Sequence, residues 1–207
     1  MNRSAKQKRF RHIFLDAEGT LYVPKEGRSR WEFWYNPSVK DALSFFELDE
    51  GAAEALRAIR DTVDTVCIVS RNTEPILSAL LSKFGLSGWF DDVLLNGNKG
   101  EKISEYLERH NLDKRQAVMV GDMPSLDLFP VRKAGIEAIL VDREYNRWVK
   151  AERIKGISEL PTWLRIAEMA EPTFLKPMRN STLDEYSSDQ KVDCRDEGMG
   201  VGAQLMG

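Results

Sequence analysis

The chain has 207 residues, 42% of them hydrophobic and 30% charged, with a formal net charge of −3. That is long enough for one full core in a soluble globular protein, and the charge balance gives no electrostatic case for a nucleic-acid partner. Two cysteines (Cys67 and Cys194) and two histidines (His12 and His110) argue against a disulfide scaffold and against a clustered zinc site.

Residues 1–10 carry Arg3, Lys6, Lys8 and Arg9 and read as a basic, solvated N-terminal extension. No apolar stretch of signal-peptide or membrane-helix length follows, so a cytoplasmic protein with no membrane partner is expected. Ile13-Phe14-Leu15 reads as a buried strand, and it ends in Asp16-Ala17-Glu18-Gly19-Thr20-Leu21. In an open α/β sheet such a strand tip is where ligands bind. Gly19 and Thr20 let the chain turn away, so that one acid can serve as a nucleophile while the other moves protons. Taken alone, the hexapeptide also fits two acids that merely cap a turn.

Residues 22–48 are expected to be a loop or flap insertion. Its aromatic cluster, Trp31, Phe33, Trp34 and Tyr35 before Pro37, fits either a hydrophobic plug or a substrate-contacting flap. Asp49 is a candidate N-cap for a helix with the stripe Ala52, Leu56 and Ile59. Val66-Cys67-Ile68-Val69 is a second strand ending in Ser70, with Arg71 and Asn72 at its mouth. Thr73 is placed to cap a helix with Ile76, Leu77, Leu80, Leu81 and Phe84, stopped at Gly85. Asp91 and Asp92 read as turn residues before a third strand, Val93-Leu94-Leu95, which is followed by Asn98-Lys99-Gly100.

Ile103, Tyr106 and Leu107 mark the next helix, and Ala117-Val118-Met119-Val120 is a fourth strand ending in Gly121-Asp122. Gly135 stops a helix before a fifth strand over 136–141, and a terminal helix is expected around 157–169. From residue 172 the composition shifts to Pro, Ser, Asp and Gly without period, so 172–207 is expected to be a disordered tail after a domain spanning 11–171. Alternating strands and helices predict an α/β domain with a central parallel sheet covered on both faces.

Four successive strand ends therefore carry Asp16 with Glu18, then Ser70, then Lys99, then Asp122 with Asp127. These are the ingredients of phosphoryl transfer through an aspartyl enzyme. A carboxylate attacks phosphorus, Mg²⁺, a lysine, a hydroxyl and backbone amides neutralise the phosphoryl oxygens, and a second acid handles protons. Singly, Ser70 reads as a turn hydroxyl and Asp127 as a first-turn helix acid. Lys99 sits where a helix N-terminus disfavours a cation, which suggests recruitment to a site; Lys102, one turn on, is its competitor.

In this order the four motifs resemble those of the haloacid dehalogenase (HAD) superfamily. They are Asp16-Ala17-Glu18-Gly19-Thr20-Leu21, then Ser70, then Lys99, then Gly121-Asp122-Met123-Pro124-Ser125-Leu126-Asp127. The short link to Ser70-Arg71-Asn72 and the Gly97-Asn98-Lys99 run are most similar to the magnesium-dependent, capless phosphatase subgroup. The resemblance implies a Rossmannoid three-layer fold with little or no cap. It further implies that Asp16 is a nucleophile and Mg²⁺ ligand, and that Glu18 is the acid–base residue with its carbonyl on the metal. Ser70 and Arg71 would hold phosphate, Lys99 would pair with phosphate and Asp16, Asp122 would be the principal metal acid, and Asp127 would support it.

Glu18 departs from the aspartate common at that position. The substrate implied is a phosphorylated small molecule or a phosphoprotein. A phosphotransferase or mutase shares the same intermediate, and a catalytically silent binding module is the alternative from another class. A receiver domain would order the acids and hydroxyl differently, and a dehalogenase would need no acid at position 18.

Overall fold

In the computed structural model of the protein the described residues are 9–29, 32–33 and 38–169. Six parallel strands form the central sheet in the order β5-β4-β1-β6-β7-β8: β1 His12–Leu15, β4 Thr65–Ser70, β5 Asp92–Leu95, β6 Ala117–Gly121, β7 Glu137–Val141 and β8 Arg153–Ile154. β1 lies between β4 and β6, with Leu15 beside Ile68 and Val120, so the tips of these three strands finish within two residues of one another.

The strand sequences are continuously apolar because both faces are covered. Ile13, Leu15, Val66, Ile68, Val118, Val120, Ile139 and Val141 point to one layer, which includes α2 (Ala52–Arg60), α3 (Glu74–Lys83) and α6 (Leu160–Met169). Phe14, Cys67, Val69, Met119, Ala138 and Leu140 point to the other, formed by α4 (Lys99–Arg109) and α5 (Phe129–Lys133). This is the three-layer arrangement the sequence predicts.

The described residues of the 22–48 insertion form regular elements rather than a loop. β2 (Tyr22–Pro24) pairs antiparallel with β3 (Phe46–Leu48), and α1 (Val39–Phe45) lies between them with a Ser38–Asp41 capping box. Phe33 packs on Phe45 and Phe46 with ring centroids 5.4 and 4.7 Å apart, which fastens the segment to the core. Lys83 on α3 donates to the carbonyls of Leu43 and Phe46 (2.7 and 2.8 Å), closing the end of α1.

Two capping expectations change. Gly51, in a left-handed conformation, starts α2, and the Asp49 carboxylate is instead held by Arg143. Thr73 occupies the N-cap position of α3 as expected, but its side chain makes no cap bond. Phe10, assigned from sequence to the N-terminal extension, is buried and stacks on Trp163. Trp31, Trp34, Tyr35, Pro37, Cys194 and the 172–207 tail lie outside the described residues. Among the described residues no helix is long and apolar enough to cross a membrane.

Candidate active site

The site forms where β1, β4 and β6 end. Asp16 is the first residue beyond β1, and its backbone N–H bonds the Val120 carbonyl of β6 at 2.9 Å, extending the ladder by one residue so that the side chain leaves the sheet at its tip. Asp122 follows β6, Ser70 ends β4, and Lys99 opens α4 after the Asn98 N-cap. All four are buried, as is Asp127.

Lys99 Nζ sits 2.6 Å from Asp16 Oδ1 and 2.6 Å from Asp127 Oδ1. No described residue hydrogen-bonds the second Asp16 oxygen. Asp127 Oδ2 accepts from the backbone N–H groups of Asp122 and Met123 (3.0 and 2.7 Å), which folds the Asp122–Asp127 loop into a widened, π-type turn over Pro124–Leu128. Asp127 thus spends both oxygens on positioning. Lys102 pairs with Glu105 on the surface of α4, 3.2 Å away, and takes no part in the site.

Two glycines allow the acids to approach. Gly19 has φ +78°, and a Cβ there would fall 2.2 Å from Asp122 Oδ2; one on Gly121 would fall 2.4 Å from Asp127 Cγ. Oxygens from Asp16, Asp122 and Asp127 lie within 4.8 Å of one another. Three carboxylates against one ammonium leave two negative charges. At an effective dielectric near 20, each unscreened acid pair at that distance repels by about 3.5 kcal/mol or more. Burial accordingly pushes the Asp16 carboxyl well above the usual carboxylate range, outweighing Lys99, and the Asp127 and Asp122 charges push it the same way. Burial likewise raises Asp127, against the pull of Lys99. Burial works against the Lys99 charge, but the Asp127 and Asp16 carboxylates overcome it and hold the ammonium above its ordinary value.

Such a hard, all-oxygen cluster carrying two excess charges fits a divalent cation of the Mg²⁺ type. Asp16 and Asp122 are the side chains that would hold it. The Glu18 carbonyl is the third donor expected from sequence.

The acids open into a cleft of about 220 Å³ lined by Asp16, Glu18, Ser70, Arg71, Lys99 and Asp122, with Phe33, Ile76, Met123 and Leu126 on its walls. Every site residue expected from sequence lines this cleft except Asp127, which sits beneath it. Ser70 Oγ accepts from the Asn72 backbone N–H at 3.1 Å, and Asn72 Nδ2 donates to the Tyr22 hydroxyl at 2.9 Å, tying the cleft wall to the insertion. Burial, with Glu18 and Asp16 nearby, drives the Tyr22 phenol well above its ordinary value, so it stays neutral. Phe33 both plugs the insertion and faces the cleft.

Sequence reasoning missed Arg143, Tyr145 and Asn146. Tyr145 donates to Asp122 Oδ2, Asn146 Nδ2 donates to the Asp122 carbonyl (2.8 Å), and Arg143 Nε donates to the Gly19 carbonyl (3.0 Å). They lie in a polar run after β7 that carries no periodic or motif signal.

The sequence matches the family described as haloacid dehalogenase-like hydrolase over residues 16–141. No curated protein matches the chain by sequence. Among solved structures it is similar to a HAD phosphatase from Thermococcus onnurineus (TM-score 0.61, 18% identity, covering 75% of this chain and 98% of that one). It is also similar to CbbY from Rhodobacter sphaeroides in complex with phosphate (0.57, 14%, 73% and 96%). A third similar structure is the HAD-hydrolase YfnB from Bacillus subtilis bound to magnesium (0.61, 13%, 76% and 100%).

Proposed function

We propose that this chain, which belongs to the haloacid dehalogenase-like hydrolase family, is a Mg²⁺-dependent phosphomonoester hydrolase of the capless kind that works through an aspartyl-phosphate on Asp16. The observation that carries this reading is the Asp16 carboxylate. Lys99 holds one of its oxygens at 2.6 Å, the other has no hydrogen bond from a described residue, and the acidic cluster stands at the floor of an open cleft. The structures of a phosphatase, a phosphate complex and a magnesium complex on the same fold support the same chemistry.

Asp16 attacks phosphorus, and the bond to the ester oxygen breaks with its electron pair on that oxygen. Glu18, half-buried on the cleft wall, gives that oxygen a proton. Its carboxylate then takes a proton from water as the water oxygen attacks the aspartyl-phosphate; the bond from phosphorus to Asp16 breaks, and phosphate and the free carboxylate result. Ser70 and Arg71 hold the phosphoryl oxygens, and Lys99 aims Asp16 while opposing the effect of burial on its charge. Bound Mg²⁺ would offset the charge between an anionic nucleophile and an anionic phosphate.

The cleft volume is below the roughly 300–1,000 Å³ of sites that enclose a drug-sized ligand. It accommodates the phosphoryl group and the first atoms of the leaving group, with the remainder at the mouth. Phosphate release from sugar phosphates, nucleotides and aryl phosphates in Mg²⁺, with and without excess chelator, tests the reading. Turnover of at least one class that the chelator abolishes is expected. Turnover that survives the chelator contradicts it.

A further inference from the structure

The tight turn Glu144–Asn146 after β7 grips both acidic loops from behind. Asn146 is fully buried and its amide is saturated. Nδ2 donates to the carbonyls of Asp122 (2.8 Å) and Val141 (2.7 Å), while Oδ1 accepts from the Arg143 backbone N–H (3.2 Å) and from Arg153 (3.1 Å). Arg143 reaches the other way, to the Gly19 carbonyl and, at 3.1 Å, to Asp49. With the turn held at these points, the Tyr145 hydroxyl donates to Asp122 Oδ2, on the side of the carboxylate that also faces Gly19.

We propose that Tyr145 is a positioning residue whose hydroxyl fixes the rotation of the Asp122 carboxylate and thereby tunes the acidic cluster for a small divalent cation. The proposal rests on the metal-dependent reading above. The terminal torsion of an aspartate is broad, so an unheld carboxylate swings between orientations. Mg²⁺ demands near-octahedral geometry with metal–oxygen distances of about 2.0–2.1 Å, whereas Ca²⁺ accepts 6–8 oxygens in flexible arrangements, including bidentate carboxylates. An Asp122 pinned through one oxygen and through its own backbone carbonyl suits the first ion. A carboxylate free to turn suits the second as well. Residues that orient metal ligands in this way are typically worth about 10–100-fold in affinity.

The test compares Mg²⁺ and Ca²⁺ affinities of the full chain and of Tyr145→Phe by calorimetric titration, with thermal melting alongside. The phenylalanine keeps the half-buried ring and removes only the hydroxyl. Tyr145→Phe is expected to bind Mg²⁺ about 10-fold more weakly and Ca²⁺ nearly as before, so the Mg²⁺/Ca²⁺ preference falls about 10-fold. A drop in melting temperature with that preference intact marks a merely structural residue and overturns the proposal, as do unchanged affinities. If the unaltered chain binds neither ion, the metal-dependent reading falls and takes the proposal with it. A wild-type chain that binds Mg²⁺ isolates any failure to Tyr145.

Discussion

Glu18 occupies the position on which the proton economy of the proposed reaction turns. It lies two residues beyond Asp16, half-buried on the cleft wall, with one methylene more reach than the commoner aspartate. If it protonates the leaving oxygen, Glu18→Gln slows alkyl phosphates far more than activated aryl phosphates, which leave with little help. General acid catalysis is typically worth about 10²–10⁴-fold, and steady-state rates on the two substrate classes read the difference directly. Because the backbone carbonyl is retained, Mg²⁺ affinity changes little. Equal slowing of both classes would assign Glu18 to ordering the site instead.

At the scale of elements, the loop after β1 and the loop after β6 close on each other because Gly19 has no side chain. Gly19→Ala meets two penalties, a positive φ and a Cβ placed against the Asp122 carboxylate. Melting should report a loss of about 1–3 kcal/mol, and titration should report a marked loss of Mg²⁺ affinity. An alanine variant as stable and as metal-competent as the parent would show that these loops do not meet as described.

The strand tips were legible in the sequence for a physical reason. Strands covered on both faces are short unbroken apolar runs, and the polar residue that ends each run, Asp16, Ser70 or Asp122, announces itself. The insertion was not legible as structure: β2 and β3 have three residues each, and α1 has seven. The Arg143–Asn146 turn was invisible because its partners are remote in sequence, Gly19 by 124 positions and the Asp122 side chain by 23. Asp49 misled for the same reason, since a distant arginine outcompeted the local helix end.

Across the whole molecule the fold holds three acids together at a cost that a bound cation would relieve. Asp16 and Asp127 have folded-state pKa values raised above their unfolded ones. The folded chain therefore binds these protons more tightly than the unfolded chain, and the contribution of the two groups to stability declines as pH rises from the ordinary carboxylate range through the raised values. A divalent cation competes with the same protons, so its affinity rises over that window and then levels off. The gain in melting temperature from saturating Mg²⁺ is accordingly expected to be larger at neutral than at mildly acidic pH. A gain independent of pH would place the ion elsewhere.

Asp16 as the covalent centre is tested most directly by phosphate release from Asp16→Asn in Mg²⁺, on a substrate the parent chain turns over. The amide preserves shape and keeps an oxygen for Lys99 while removing the nucleophile and one metal charge. Turnover is expected to fall to background while circular dichroism and melting show the fold intact. A folded Asp16→Asn protein that still releases phosphate at the parent rate would contradict the account.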